Sequence, residues 1–417
     1  MLSTHLRKTI FISASISSLA LLATSCAAAS GGTSGGKSVT SGGKSVKVGI
    51  YVPLTGAQAP LGIDMRDGTA LAVEQFGEIG GKPVTWMAAD TQGNAAVALS
   101  MAQKMVQTDG VNLLVGGTNS SETLALAAQA KRLDVPIIAI NSQAVSVTGA
   151  SCSRYVFRTN PNDAMTAAAN AILLKSDPDL ANKSWDVVVH DNVWGRSNAA
   201  AFEALPGIKI DSTIIRPVGT TDWSTALTEL KGNDKAGIYA ALLVGADLPR
   251  FINQTRAFGI TRTILPPLGM PDSMLAELGA KSVGLRTGGL FGSWMLADKN
   301  PAMKQFVEAF VTKYDRVPSP MAIQAYQGTW WALKGLKDSP SLNSSDVIKS
   351  LEATRVDGIL GAFGVRAKDH QGEIGMYAAE VVKLDKKTYG ATYAWKVTTT
   401  VPWDKLAAAT PSDQCKM

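Results

Sequence analysis

The residues with the most obvious chemical potential are three histidines, three cysteines and two glycine-rich motifs. His5, His190 and His370 lie far apart along the chain, and none belongs to an HExxH, CxxC or mixed Cys/His pattern. Zinc and other metals therefore find no ligand set with the right spacing. Residues 31–38 match GxxxxGK[ST], and residues 32–36 match GxSxG. Both motifs work only between a strand and a helix, where backbone N–H groups or a strained turn are held rigid. Here they sit in a run of Gly, Ser, Thr, Ala and Lys in which GGKSV occurs twice, so composition accounts for the matches. His190 beside Asp191 reads as a polar strand end in preference to a general base. No catalytic residue, cofactor or metal is expected.

The polar segments that remain are loops, and the elements around them decide what they can do. From residue 46 the chain alternates β-branched strands with amphipathic helices. Strands are expected at 46–52, 84–89, 111–115 and 135–140, with helices at 67–76, 95–108 and 123–133 between them. The cycle repeats after Phe157, with strands at 185–190, 208–215, 236–244 and 263–268 and helices at 164–174, 197–204, 223–231 and 249–258. Helices at 301–314 and 321–337 follow, and hairpins between 357 and 398. Such alternation with short connections specifies doubly wound parallel sheets. The length of 417 residues calls for two lobes rather than one core.

In open parallel sheets ligands lie beyond the carboxyl ends of the strands. That directs attention to Pro53–Gly62 with Leu61, to 116–123 with Asn119 and Ser120, to 141–146 with Gln143, Ala144 and Ser146, and to 190–195 with Trp194. Asn119 with Glu122, or Ser120 with Thr123, can cap the following helix, and the same helix start can also offer N–H groups to a carboxylate. Trp194 can cover the apolar part of a ligand, or serve as an ordinary packing aromatic.

The ends of the chain carry a second message. Arg7 and Lys8 precede an apolar stretch, 10–23, that is shorter than the ~20 residues of a spanning helix. It closes on Leu22-Ala23-Thr24-Ser25-Cys26, which resembles the bacterial lipobox, although Ala23 stands where Leu is usual. We expect a leader over 1–26 with lipid on Cys26; a plain signal peptide cut nearby is the alternative. Residues 27–45 read as a flexible tether. With Cys26 lipidated, Cys152 and Cys415 remain, either paired in an oxidising compartment or as two separate buried thiols. The net charge of +6 is scattered, with no basic run interleaved with aromatics, which argues against nucleic acid as a partner.

Several weak motifs in one order carry a family resemblance. They are Pro53-Leu54-Thr55-Gly56, Gly62, Gly68-Thr69-Ala70-Leu71-Ala72, Gly80-Gly81, Asp90 and Asp109-Gly110-Val111, then Val135-Pro136-Ile137, the segment 154–159 and Gly219-Thr220-Thr221-Asp222-Trp223. Over about 46–400 the chain resembles the branched-chain amino-acid type of solute-binding proteins of ABC importers, with the type I periplasmic binding fold. The resemblance implies an α/β protein of two doubly wound parallel-sheet lobes joined by a hinge. We expect 46–161 plus 292–355 in one lobe and 162–291 plus 356–417 in the other. It also implies a non-enzymatic monomer, anchored to a membrane by lipid, that closes on a small solute and delivers it to importer permease subunits. A sensing module serving a signalling receptor is the alternative.

By position, Ser120 matches the family's carboxylate-binding serine, 143–146 its further contact loop, and Trp194 a second-lobe tyrosine. Val244 falls where amino-acid binders often have tyrosine. Leu268 falls near the acid that pairs the ligand's ammonium, and a buried ammonium left unpaired is costly. An amide or urea-like solute, or an organic or aromatic acid, therefore fits at least as well as an amino acid.

Overall fold

The computed structural model describes residues 44–233, 235–242, 245–410 and 413–417. The leader with Cys26, most of the tether, and Val244 lie outside this set.

Strand β1 (Val46–Val52) is almost continuously apolar because it becomes the middle of a sheet covered on both faces. Its alternation sends Val46, Val48, Ile50 and Val52 into one core and Tyr51 into another. Helix α1 (Ala59–Phe76), β2 (Glu78–Ile79), β3 (Lys82–Asp90), α2 (Ala95–Gln107) and β4 (Leu113–Gly116) follow. Next come α3 (Ser120–Ala127), α4 (Ala130–Leu133), β5 (Ile137–Ala139) and β6 (Val156–Arg158). The strand order is β2-β3-β1-β4-β5-β6, parallel apart from the small β2–β3 hairpin.

Helix α1 starts eight residues earlier than the expected Asp67. Pro60 stands in its first turn, where the missing N–H has no helical partner to lose. Gly62 permits the close turn, since a Cβ there would sit 1.9 Å from the Pro53 carbonyl oxygen. The expected helix at 123–133 is two pieces, α3 and α4, and the first of them begins at Ser120.

The chain then crosses to a second sheet. Helix α5 (Asp163–Ser176) leads to β7 (Ser184–His190), α6 (Val193–Glu203), β8 (Lys209–Arg216), α7 (Ser224–Leu230), β9 (Gly237–Ala241), α8 (Asp247–Ala257) and β10 (Ile264–Leu265). These strands run parallel in the order β10-β9-β7-β8. Val188, Ile238 and Ala240 face Trp223, Leu227 and Phe251, while Trp185, Val187 and Val189 face Phe202 and Leu174. After α9 (Asp272–Leu278) and β11 (Arg286–Leu290), helices α10 (Pro301–Tyr314), α11 (Pro320–Asp338) and α12 (Ser344–Ala353) return to the first sheet. There α11 lies against α1 so closely that a Cβ on Gly68 would approach the Ala322 oxygen to 2.2 Å. Helices α9 and α12 have no counterpart among the expected elements.

The expected hairpins resolve into a short pair, β12 (Val356–Gly358) and β13 (Gly361–Phe363), and a long one, β14 (Met376–Thr388) and β15 (Ala391–Val401). The long hairpin joins β11 in an antiparallel sheet beside the second parallel one. Among the described residues no helix is long and apolar enough to cross a membrane.

Beyond α13 (Trp403–Leu406) the tail runs back over the crossing segment, where Asn162 Nδ2 donates to the Thr410 hydroxyl at 2.9 Å. It ends in a Cys152–Cys415 disulfide with the Cα atoms 5.5 Å apart. Closing so long a loop restricts the unfolded chain, so the Cys152→Ser/Cys415→Ser protein should lose about 2–5 kcal/mol of stability. Denaturant titration checks this, and non-reducing peptide mass spectrometry of the purified protein should recover the linked pair.

Candidate functional site

The carboxyl ends of β1, β4 and β5 form one wall of a cleft. The loop after β1 is held by Asp90, which accepts the Leu54 N–H at 2.7 Å, the Gln92 N–H at 2.9 Å and the Thr55 hydroxyl at 2.6 Å. Partial burial disfavours that carboxylate, but the Thr55 hydroxyl and the backbone N–H groups outweigh it and hold the pKa below the usual range. The loop ends at Gln58, whose amide pairs reciprocally with Asn119: Gln58 Nε2 donates to Asn119 Oδ1 at 2.7 Å, and Asn119 Nδ2 to Gln58 Oε1 at 2.6 Å.

After β4, Asn119 stands at the N-cap of α3, and Glu122 returns to accept the Asn119 N–H at 3.0 Å. Burial raises the pKa of Glu122 against these hydrogen bonds. Ser120, in the first turn, accepts the Ala144 N–H at 3.0 Å. Its hydroxyl hydrogen has no described acceptor. Asn141, after β5, spends Nδ2 on the Thr118 carbonyl at 3.4 Å and leaves Oδ1 buried and unpaired.

The facing wall comes from the second sheet. The β7–α6 turn is tight, since a Cβ on Gly195 would lie 2.1 Å from the His190 carbonyl oxygen. Asn192 caps α6 by accepting the Gly195 N–H at 2.7 Å. This sets Trp194 in the cleft, edge-on to His190 with ring centroids 6.5 Å apart. His190 is fixed in turn by Asp247, with Nε2 to Oδ2 at 3.1 Å.

Behind Trp194 lies Asp163, fully buried at the start of α5. Its N–H donates to the Gln143 carbonyl at 2.9 Å, and its Oδ1 accepts from Asn198 Nδ2 at 3.0 Å. Burial raises its pKa to about 6, opposed by the polar Ser197 and Asn198 beside it, the charge of Arg158 and the nearby Trp194 indole; Asp163 Oδ2 and Trp194 Nε1 themselves have no hydrogen-bond partner among the described residues. The walls meet where Val145 N–H donates to Ser197 Oγ at 3.3 Å, and where Gly245 approaches Ala57.

Between them are two adjoining chambers. The outer, about 270 Å³, lies among Gln58, Gln92, Asn119, Asn192, Trp194 and Val218. The inner, about 20 Å³, lies among Leu61, Thr118, Ser120, Asn141, Gln143 and Leu268. Gln58, Asn119, Ser120 and Trp194 line both.

The structure thus gathers six of the residues singled out from sequence, Leu61, Asn119, Ser120, Gln143, Trp194 and Leu268, around one cavity. Ala144 and Ser146 are not among its walls. The main chain of Ala144 is spent on Ser120 and on Arg158, and Ser146 is wound into a 3₁₀ turn over 145–147. Val244 lies outside the described residues. Gln58, Thr118 and Asn141 were missed. All three sit in strand-end loops already under suspicion, and an amide or hydroxyl in such a loop was the only signal available.

A larger cavity of about 410 Å³ lies between α1, α9 and the tip of the β14–β15 hairpin, but its buried polar groups are committed. Asp64 is paired with Arg316 at 2.6 Å, and Asp272 accepts the Trp294 indole N–H at 2.9 Å. Among the described residues no group of three or more His, Cys, Asp or Glu is placed to hold a metal ion.

The family model described as "Periplasmic binding protein" matches residues 45–388. The chain belongs to the periplasmic binding protein family. The protein is similar to Leu/Ile/Val-binding protein homologues. It is 21% identical over 368 residues to Leu/Ile/Val-binding protein homolog 4 of Brucella melitensis, covering 82% of this chain and 87% of that one. It is 25% identical over 347 residues to homolog 8 of Brucella abortus, covering 78% and 85%. Among solved structures, a periplasmic binding protein from Burkholderia mallei superposes with a TM-score of 0.78 at 24% identity, covering 87% of this chain and 96% of that one. A solute-binding protein of an ABC transporter from Rhodopseudomonas palustris, solved with 3,4-dihydroxybenzoic acid, gives 0.76 at 21% identity, covering 86% and 98%. The two-lobed α/β architecture of this periplasmic binding protein is therefore the type I fold.

The buried carboxyl behind Trp194 has a measurable signature. With its pKa raised, Asp163 keeps a proton in the folded state that the unfolded chain has released, so its contribution to stability falls as pH rises from about 4 through about 6. Asp163→Asn cannot lose that proton. The stability difference between the native protein and the variant should therefore move in the variant's favour between pH 4.5 and pH 7, as read by urea titration at each pH. A difference that stays constant removes burial of Asp163 as its source.

Proposed function

We propose that this periplasmic binding protein is an exported lipoprotein, anchored through Cys26, that captures a small polar solute in the cleft and delivers it to the permease subunits of an ABC importer. One observation carries the reading: a small-molecule-sized chamber, walled by strand ends of both sheets, in which the buried Asn141 Oδ1 has no partner among the described residues and the Ser120 hydroxyl, already accepting the Ala144 N–H, has no described acceptor for its hydrogen. Buried polar atoms are normally satisfied, so those left open in a cavity mark where a ligand belongs. The relatives add support. The curated relatives are Leu/Ile/Val-binding protein homologues, and the Rhodopseudomonas palustris protein holds an aromatic acid.

The protein acts as a monomer and performs no chemistry on its solute. Residues 46–161 with 292–355 move as one body and 162–291 with 356–417 as the other, hinged at the crossing segments. The solute binds first to the wall carrying Ser120, and contacts with Trp194 then favour closure.

Purified mature protein is screened by thermal shift against amino acids, amides, and organic and aromatic acids. At least one compound should raise the melting temperature, remain unchanged after incubation, and reduce the radius of gyration in solution scattering. Ser120→Ala should weaken that compound at least about tenfold, roughly 1.4 kcal/mol. It should also cost the empty protein about 1 kcal/mol, because the Ala144 N–H is left unpaired. Undiminished affinity in the variant removes the cleft as the site.

A further inference from the structure

We infer that the solute is electrically neutral and carries a carboxamide or urea group, an inference that rests on the cleft being the solute site. Among the described residues lining the two chambers, none has a charged side chain. An ammonium group enclosed there would have no carboxylate opposite it, and Leu268 stands in the inner wall as an apolar surface.

A carboxylate fares no better at the inner end. The Ser120 hydroxyl can donate to it, and so can Gln143, whose Oε1 already accepts the Thr166 hydroxyl at 3.4 Å and whose Nε2 has no described partner. Asn141 Oδ1 is a buried acceptor without a donor, however, and would confront a second acceptor. The chamber thus asks for a hydrogen-bond acceptor and a donor together. A primary amide supplies both on adjacent atoms, with its carbonyl to Ser120 and Gln143 and its N–H to Asn141.

The chamber sizes agree. The inner chamber, about 20 Å³, suits one water-sized group such as a terminal NH2, while the outer, about 270 Å³, has room for a short skeleton beside the Trp194 indole.

The test is isothermal titration of the mature protein with isobutyramide, benzamide and N-methylurea, against isobutyrate, benzoate, valine and leucine. An amide should bind at least about tenfold more tightly than the acid of the same skeleton. Asn141→Leu should lower the amide affinity by about tenfold and leave the weaker acid nearly unchanged. The amide-to-acid ratio in the unaltered protein decides the matter even if that variant folds poorly. If an acid or amino acid binds more tightly than its amide, and Ser120→Ala abolishes that binding, the cleft reading stands and the neutral-amide inference falls. If none of these compounds nor any of the wider panel binds, both fall.

Discussion

The guanidinium of Arg158 is fully buried, and where its hydrogen bonds go fixes the rest of the site. Nε donates to Gln371 Oε1 at 2.8 Å, Nη1 to the carbonyl oxygens of Ala144 at 2.6 Å and Ser142 at 3.3 Å, and Nη2 to the Thr148 hydroxyl. Burial lowers its pKa to about 9, opposed by the charges of Asp163 and Asp369. The group therefore stays charged at neutral pH without a carboxylate in contact. A buried charge whose acceptors were removed would cost several kcal/mol, so the loop at 142–148 cannot drift. That loop in turn delivers the Ala144 N–H to Ser120. Five residues further on, Asp163 gives its N–H to the Gln143 carbonyl and lies against Trp194. One short crossing segment thus governs a residue on each wall of the cleft.

This arrangement explains what could and could not be read from the sequence. The strands were legible because buried parallel strands are near-continuously apolar and rich in β-branched residues, as in 46–52 and 185–190. Ser120 and Asn119 were legible because a polar cluster between a strand and a helix has few other uses than capping or binding. The loop at 141–148 was legible only as a polar stretch. Which of its residues face the cleft depends on Arg158 drawing in two carbonyl oxygens and on the turn at 145–147, both set by tertiary contacts. Ala144 and Ser146 are implied by the family resemblance over 143–146, which does not carry this local geometry.

The start of α1 shows the limit from the other side. Gln58 and Leu61 owe their places to a helix that begins with Ala59-Pro60, and proline with nearby glycine reads locally as a loop. Only the packing of α1 against α11 and the Asp90-centred loop favour a helical start there. The disulfide was the reverse case. Counting cysteines in an exported chain left one plausible pair, and no knowledge of the fold was needed to suggest it.

Among the described residues the walls are joined by hydrogen bonds from Val145 N–H to Ser197 Oγ at 3.3 Å, from Asp163 N–H to the Gln143 carbonyl at 2.9 Å and from the Thr166 hydroxyl to Gln143 Oε1 at 3.4 Å, and Ala57 lies close to Gly245. A neutral hydrogen bond is worth about 1 kcal/mol net, and a buried polar atom without a partner, such as Asn141 Oδ1 on the inner chamber, costs at least as much. Under the function proposed above, a molecule that supplies a partner to Ser120 and Asn141 on one wall and contact to Trp194 on the other would stabilise a closed arrangement by more than it stabilises either wall alone, and only such a differential shifts an equilibrium between open and closed forms.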